Sequence, residues 1–165
     1  MFIAFEPDNT VYRDRGFEVV RSDMLKSHDS QNDVVLPRRG TSKSAGYDFF
    51  MNGYDIIKPG CTFVVWTDIK AYMKCNEVLE IYPRSSMAIK KGLVIKNTVG
   101  IIDSDYYSNS SNDGNIGIAL YNSGSDDIHL NLGDAIAQGI FKSYLVADNC
   151  NSDEKRTGGM GSTNK

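Results

Sequence analysis

From Val34 onward the chain alternates short apolar runs with clusters of Gly, Asn, Asp and Pro. The runs are rich in β-branched and aromatic residues: "YDFFM" (47–51), "CTFVVWTDI" (61–69), "VLEIYP" (78–83), "LVIKN" (93–97), "NIGIALYN" (115–122), "DDIHLNL" (126–132) and "AIAQGIFKSYLV" (135–146). Runs of this length bounded by turn formers predict strands, and a regular series of them predicts an all-β sandwich or barrel. No helical heptad interrupts the rhythm. Helix signals are confined to "RSDMLKSH" (21–28), with Ser22 or Asp23 available as a cap, and to a turn around "SSMAIKK" (85–91).

The two ends depart from this pattern. Residues 1–33 are more polar and lack the strand rhythm, so they read as an N-terminal arm or extension to a β domain spanning 34–146. Residues 147–165, "ADNCNSDEKRTGGMGSTNK", have almost nothing to bury and read as a flexible C-terminal arm of the kind that orders on a ligand. With 165 residues in all, the expectation is one domain with a real core.

Composition narrows the function. A net charge of -3 leaves no basic footprint, so neither nucleic acid nor a membrane surface is an expected partner, while a small anion stays open wherever cations gather. Cys61, Cys75 and Cys150 are odd in number, widely spaced and free of any CxxC pair, and read as reduced thiols. The opening "MFIAFEPDNT" has no basic n-region or long apolar stretch, and no run approaches the roughly 18 apolar residues of a membrane span. The expected location is cytoplasmic.

Several stretches could carry chemistry. Asp103 ends an apolar run, which puts its carboxylate at the rim of the core with restricted solvent; a carboxylate so held can orient or deprotonate a water. "DSD" is equally an ordinary turn. In "YPRSSMAIKKGL" (82–93), Pro83 ends a strand and Arg84, Ser85 and Ser86 offer several donors to a phosphate; the plain alternative is Ser85 as an N-cap with Arg84 solvated. "KRTGGMGST" (155–163) has the composition of a phosphate-wrapping flap without being a Walker loop, and is also what a loose chain end looks like. Asp48 is either linked to a metal or a polar residue on the wet face of its strand. Gln138 interrupts an apolar strand, and a buried amide needs partners that a ligand could supply. His28 and His129 lack other ligand-type neighbours at metal spacing, which leaves little case for nucleophilic catalysis through histidine or for a histidine zinc site.

Taken in order, "AGYDFF", "PRSSMAIKKGL", "NTVGIIDSDY", "GDAIAQ" and "GGMGST" resemble the five ordered motifs of the trimeric deoxyuridine triphosphate nucleotidohydrolases, the dUTPases. The resemblance runs from about residue 36 to the end. It implies a jelly-roll-like β domain, a homotrimer with active sites between subunits and a C-terminal arm closing over one of them. It also implies hydrolysis of dUTP to dUMP and pyrophosphate with Mg2+. Carried over by position, Asp103 would activate the water that attacks the α-phosphorus, while Asp105 shapes the turn that presents Tyr106. Tyr106 would pack under the deoxyribose and exclude a 2'-hydroxyl. Asn97, Gly100 and Ile102 would line the nucleoside pocket, with Met160 covering the base. Arg84, Ser85, Ser86, Gln138, Arg156, Gly161, Ser162 and Thr163 would hold the phosphates, and Asp48 would reach magnesium through water.

Three features depart from the family pattern. Met160 stands where the family has an aromatic. The arm's cation is one position out of register, so Lys155 and Arg156 both stay open. Tyr107 and the polar insertion "SNSSND" (108–113) replace the arginine and glycine that usually follow the motif tyrosine. So polar a loop reads as solvated, which makes 107–115 a candidate surface for a regulatory partner, the second reading of function. The length, arm and insertion resemble phage-encoded members, which would put the protein in a host cytoplasm. The dCTP deaminases, which share the fold, make a third reading.

Overall fold

The apolar runs fold into antiparallel strands because alternate side chains of each can be buried while the turn formers between them face solvent. In chain order the strands are β1 (Gly16–Val19), β2 (Arg38–Arg39), β3 (Tyr47–Phe50), β4 (Asp55–Ile57), β5 (Thr62–Trp66), β6 (Ile69–Tyr72), β7 (Glu77–Pro83), β8 (Leu93–Ile95), β9 (Gly100–Asp103), β10 (Gly117–Asn122), β11 (Ile128–Leu130) and β12 (Ala135–Ser143). Among the described residues a single α-helix, α1 (Ser85–Lys91), lies between β7 and β8. This computed structural model describes residues 13–150 together with Arg156, Gly158 and Gly159.

A five-stranded sheet in the order β2-β3-β12-β7-β9 faces a three-stranded sheet, β5-β10-β8, with the pairs β1-β6 and β11-β4 completing a jelly-roll-like β fold. One core joins all of them: Phe49, Leu79, Ile81 and Ala137 from the large sheet meet Val65, Leu93, Ile118 and Leu120 from the small one, with Ile57, Leu130 and Ile69 from the flanking pairs. Strand β10 shows the alternation plainly, burying Ile118, Leu120 and Asn122 in turn. Among the described residues, no helix is long and apolar enough to cross a membrane.

Two segments differ from the sequence expectation. The run "CTFVVWTDI" is broken, not one strand, because Asp68 adopts a left-handed φ of 57° between β5 and β6, a conformation Asp tolerates. "RSDMLKSH" is not an α-helix. Only Ser22–Met24 coil into a 3-10 turn, preceded by Arg21 with no side-chain cap, because the chain just beyond is held by a residue 40 positions away. The Asp68 carboxylate accepts hydrogen bonds from the amides of Lys26 (2.8 Å), Ser27 (2.8 Å) and His28 (2.9 Å) and from Asn115 Nδ2 (2.8 Å), and lies 2.9 Å from His28 Nδ1. His28 therefore has a structural partner that its sequence neighbours did not show.

The N-terminal segment is tied in further by β1, which pairs with β6 from Gly16↔Tyr72 to Val19↔Ile69. The 107–115 insertion is solvated only in part: Ser108, Ser110 and Ser111 are exposed, whereas Asn109, Asn112, Asp113, Gly114 and Asn115 are buried. Asp113 receives Lys70 Nζ at 2.9 Å and the Arg21 amide at 2.8 Å, and Tyr107 Oη donates to Glu18 at 2.6 Å. The polarity of its buried residues serves internal hydrogen bonds, while its serines face solvent.

Those bonds set an acid limit on stability. Burial pushes the Asp68 carboxyl up, but hydrogen bonds from His28, Asn115 and the Lys26 and Ser27 amides outweigh it and hold the group below the usual range. Asp113 is likewise held low, burial being outweighed by Lys70 and the Arg21 amide. A carboxyl whose folded pKa lies below its unfolded value of about 4 binds fewer protons folded than unfolded. Its contribution is complete above that value and is lost as pH falls through the folded pKa. Calorimetric Tm is therefore expected to hold steady down to about pH 5 and to fall steeply below about pH 4; a Tm equal at pH 5 and pH 3 would contradict this.

Candidate active site

The sequence-predicted residues gather at two places. The first is a cavity of about 300 Å³ lined by Gly40, Ser44, Gly46, Asp48, Arg84, Ser85, Ser86 and Gln138. Asp48 on β3 and Tyr82 on β7 flank Gln138 on β12 in register, so the sheet itself brings three distant stretches together. Pro83 ends β7 and Arg84 occupies the N-cap position of α1 with extended backbone. Ser85 is thus the first helical residue and not the cap, and Arg84 is not simply solvated: its Nε lies 3.2 Å from Asp48 Oδ1. The helix's first bonds run from the Met87 and Ala88 amides to Arg84 O, and amides earlier in a first turn have no acceptor inside the helix. Hydroxyls, early amides and a guanidinium therefore converge on the cavity, a donor set suited to phosphate oxygens.

Gln138 is held in place from two sides. Its Nε2 donates to Pro83 O at 3.2 Å, and Gly46 lies so close that any Cβ there would collide with its Oε1. Gly46 and Ser44 were missed as site residues in the sequence, although Gly46 sits inside the first motif.

The second place is an apolar slot of about 230 Å³ lined by Ile81, Ile95, Lys96, Asn97, Gly100, Ile102, Gly117, Ile118 and Ala119. It lies under the turn joining β8 to β9, where Thr98 takes a φ of 65°. The turn is closed by Thr98 N to Ile95 O at 2.9 Å and Val99 N to Asn97 O at 2.8 Å. All three predicted nucleoside-lining residues of this stretch, Asn97, Gly100 and Ile102, are present in it.

Beyond the slot β9 ends at Asp103, which leads into a 3-10 turn, Ser104–Tyr106. Contrary to the expectation of restricted solvent, the Asp103 side chain is 50% exposed and Asp105 55%, because the turn lifts both off the core. Their position is set by charge instead. Arg156 Nη2 lies 2.6 Å from Asp103 and Nε 2.8 Å from Asp105, and the guanidinium carbon is 5.6 Å from the Tyr106 ring centroid. The structure thus brings Arg156 to the two carboxylates and not to the phosphate-type cavity. Burial by itself lowers the guanidinium's pKa, but the hydrogen bond and charge of Asp105, then the charge of Asp103, raise it overall. With both carboxylates half exposed, this contact is weak, on the order of 1 kcal/mol or less. The remaining arm residues of the sequence reading, Lys155, Met160, Gly161, Ser162 and Thr163, lie outside the described residues.

Asp103 and the phosphate-type cavity are not adjacent within one chain. Asp103 pairs with Val78 on β7, whereas Asp48 and Gln138 are level with Tyr82. Four residues along and three strand spacings across amount to about 13 Å and about 14 Å.

Comparison with known proteins follows the same lines. The dUTPase family model matches residues 32–164. The deoxyuridine 5'-triphosphate nucleotidohydrolase of Lactococcus lactis is 41% identical over 151 residues, 90% of this chain and 97% of that protein; the one of Mus musculus is 34% identical over 138 residues, 80% of each. Among solved structures, dUTPase from Streptococcus mutans superposes with a TM-score of 0.69 at 38% identity, over 81% of this chain and 98% of the other. The dUTPase from phage phi11 of S. aureus shares the fold, with a TM-score of 0.67 at 20% identity over 86% and 97% of the two chains.

Proposed function

The chain belongs to the dUTPase family, and on that premise we propose that it hydrolyses dUTP to dUMP and pyrophosphate, with Asp103 setting up the attacking water. The observation that carries the reading is the convergence of Asp48, Arg84, Ser85, Ser86 and Gln138 on one cavity, together with an apolar slot of a size for a flat base under the β8–β9 turn.

In this mechanism the base enters the slot and its edge meets the backbone of the 96–99 turn. Uracil and cytosine exchange a donor for an acceptor there, and a mismatch of buried polar groups can reject the wrong base by about 10⁴-fold. Asp103 accepts a proton from a water whose oxygen attacks the α-phosphorus. The bond from that phosphorus to the α,β-bridging oxygen breaks, and pyrophosphate leaves. A positioned base supplies roughly 10²- to 10⁴-fold, so the larger share falls to charge neutralisation by Arg84 and alignment by Ser85, Ser86 and Gln138.

Magnesium fits this donor set as an ion carried by the substrate. Among the described residues no group of three or more His, Cys, Asp or Glu is set to hold a metal alone, but Mg2+ keeps several waters and is commonly held by one or two carboxylates plus substrate phosphates. Asp48 at the cavity is such a carboxylate and would hold the ion through its water shell. When bound, the ion neutralises phosphate charge and polarises the scissile centre.

The separation of the two half-sites supports a homotrimer in which one copy's Asp103 and base slot meet another copy's phosphate cavity. A closed ring of identical contacts makes every site equivalent. The regulatory reading, in which 107–115 docks a partner, is narrowed to the exposed Ser108, Ser110 and Ser111 and the half-buried Tyr107, since the loop's other residues are buried. Deamination of dCTP gains nothing, since no residue of either half-site is assigned to activating a base.

Pyrophosphate release from dUTP, dCTP, dTTP and UTP with magnesium tests the proposal. Selective turnover of dUTP is expected, and no release from dUTP would overturn it. Within the same assay, Gly46→Ala is expected to displace Gln138 and raise KM for dUTP about tenfold, the effect of losing one hydrogen bond to a charged group. An unchanged KM would remove Gln138 from the phosphate site.

A further inference from the structure

The insertion that replaces the family's usual residues after Tyr106 grips both ends of that tyrosine. Asn112 Nδ2 donates to Tyr106 Oη at 2.7 Å, and Tyr106 Oη donates in turn to Asn115 O at 2.9 Å. At the backbone end, Asn109 Nδ2 donates to Tyr106 O at 2.8 Å. The orientation of Asn112 is not arbitrary. Its Oδ1 accepts from Asn109 Nδ2 at 2.7 Å and from the Gly114 amide at 3.1 Å, which leaves only the amino group to face the phenol, and hence directs the phenol proton to Asn115 O. Asn109 Oδ1 in turn accepts from the Ser111 amide and hydroxyl and the Asn112 amide.

All three side chains are buried, at 6% for Tyr106, 8% for Asn109 and 6% for Asn112. The loop closes this tightly because Gly114 has a φ of 82° and a Cβ there would press on Tyr106 O at 2.8 Å. Behind it, Asp113 is anchored on Lys70 and the Arg21 amide, and Asn115 on Asp68 and Met24 O. The tyrosine is splinted from its carbonyl to its hydroxyl by a loop that is itself anchored on the N-terminal segment.

We propose that Asn112 is a positioning residue for sugar recognition: by holding the Tyr106 hydroxyl it fixes the ring plane that rejects a 2'-hydroxyl. This rests on the reading of Tyr106 as the deoxyribose platform. Excluding one extra oxygen by steric contact requires a ring that cannot retreat by a fraction of an ångström, and packing against one face does not prevent that. A hydrogen bond at the far tip of the ring does.

The test is the ratio of kcat/KM for dUTP over UTP, with the ratio for dUTP over dCTP as internal control, since neither Tyr106 nor Asn112 lines the base slot. Asn112→Ala is expected to lower the first ratio about tenfold, chiefly by raising turnover of UTP, and to leave the second unchanged. Asn112→Leu, similar in size but without a hydrogen-bonding group, provides the same reading if the alanine variant does not fold. In a Tyr106→Phe background the Asn112 substitution is expected to have no further effect on the sugar ratio. Equal falls in both ratios, no change in the sugar ratio, or an undiminished effect in the phenylalanine background would overturn the positioning role. Wild-type protein without dUTP turnover would overturn the proposed function itself. Wild-type turnover of dUTP and UTP alike would overturn the tyrosine's role, and this inference with it.

Discussion

Asp103→Asn is expected to lower kcat for dUTP by at least about 10²-fold while leaving KM within a few-fold of the wild type. The amide keeps the size and turn geometry of the carboxylate and can still accept a hydrogen bond from the water, but it cannot take the water's proton. The nearest comparison is Asp105→Asn. Both carboxylates are half exposed and both meet Arg156, so a general effect of lost charge at this turn would damage both variants alike. A base acting at the phosphorus predicts a large loss for position 103 and a small one for 105. Steady-state pyrophosphate release decides the matter, and Asp103→Asn retaining more than about a tenth of wild-type kcat would remove Asp103 as the base.

The second large effect is a recovery. Arg84→Ala is expected to be nearly inactive as well, since it removes the cation at the phosphate cavity. Each of the two variants damages one half-site and leaves the other intact. If catalytic sites form between copies, unfolding and refolding the two inactive proteins together at equal amounts yields mixed assemblies. In a closed ring about one site in four then draws its Asp103 half from one variant and its Arg84 half from the other, with both intact. Activity near a quarter of wild type is therefore expected from two proteins that are each almost inactive. A mixture as inactive as its components would mean that one chain builds the whole site, against the register that holds Asp103 level with Val78 and Gln138 level with Tyr82.

Much of this protein is legible in its sequence. The run "VLEIYP" is β7 to within one residue, and the turn expected around "SSMAIKK" is the helix α1, because alternation and helix propensity act between near neighbours. The chemical types in the ordered motifs were legible too, since a carboxylate, a guanidinium and a glycine announce what they can do wherever they stand.

Other features could not be read locally. "RSDMLKSH" looked helical and is not, because its final amides are claimed by Asp68. "SNSSND" looked solvated, yet Asn109, Asn112 and Asp113 are buried, because its asparagines bond to one another and to Tyr106. Single-residue polarity cannot distinguish a loop that faces water from one that satisfies itself.

By itself, then, the order of residues determined the strand rhythm, the turn at "SSMAIKK" and the chemistry available at each motif, all of which depend on contacts a few positions apart. Tertiary structure alone decided which motifs meet. It split the phosphate cavity from Asp103, placed Arg156 on Asp103 and Asp105, and turned an inserted loop into a splint for Tyr106. Those outcomes depend on strand register and on hydrogen bonds between residues up to 92 positions apart, whose partners are fixed only when the chain closes on itself.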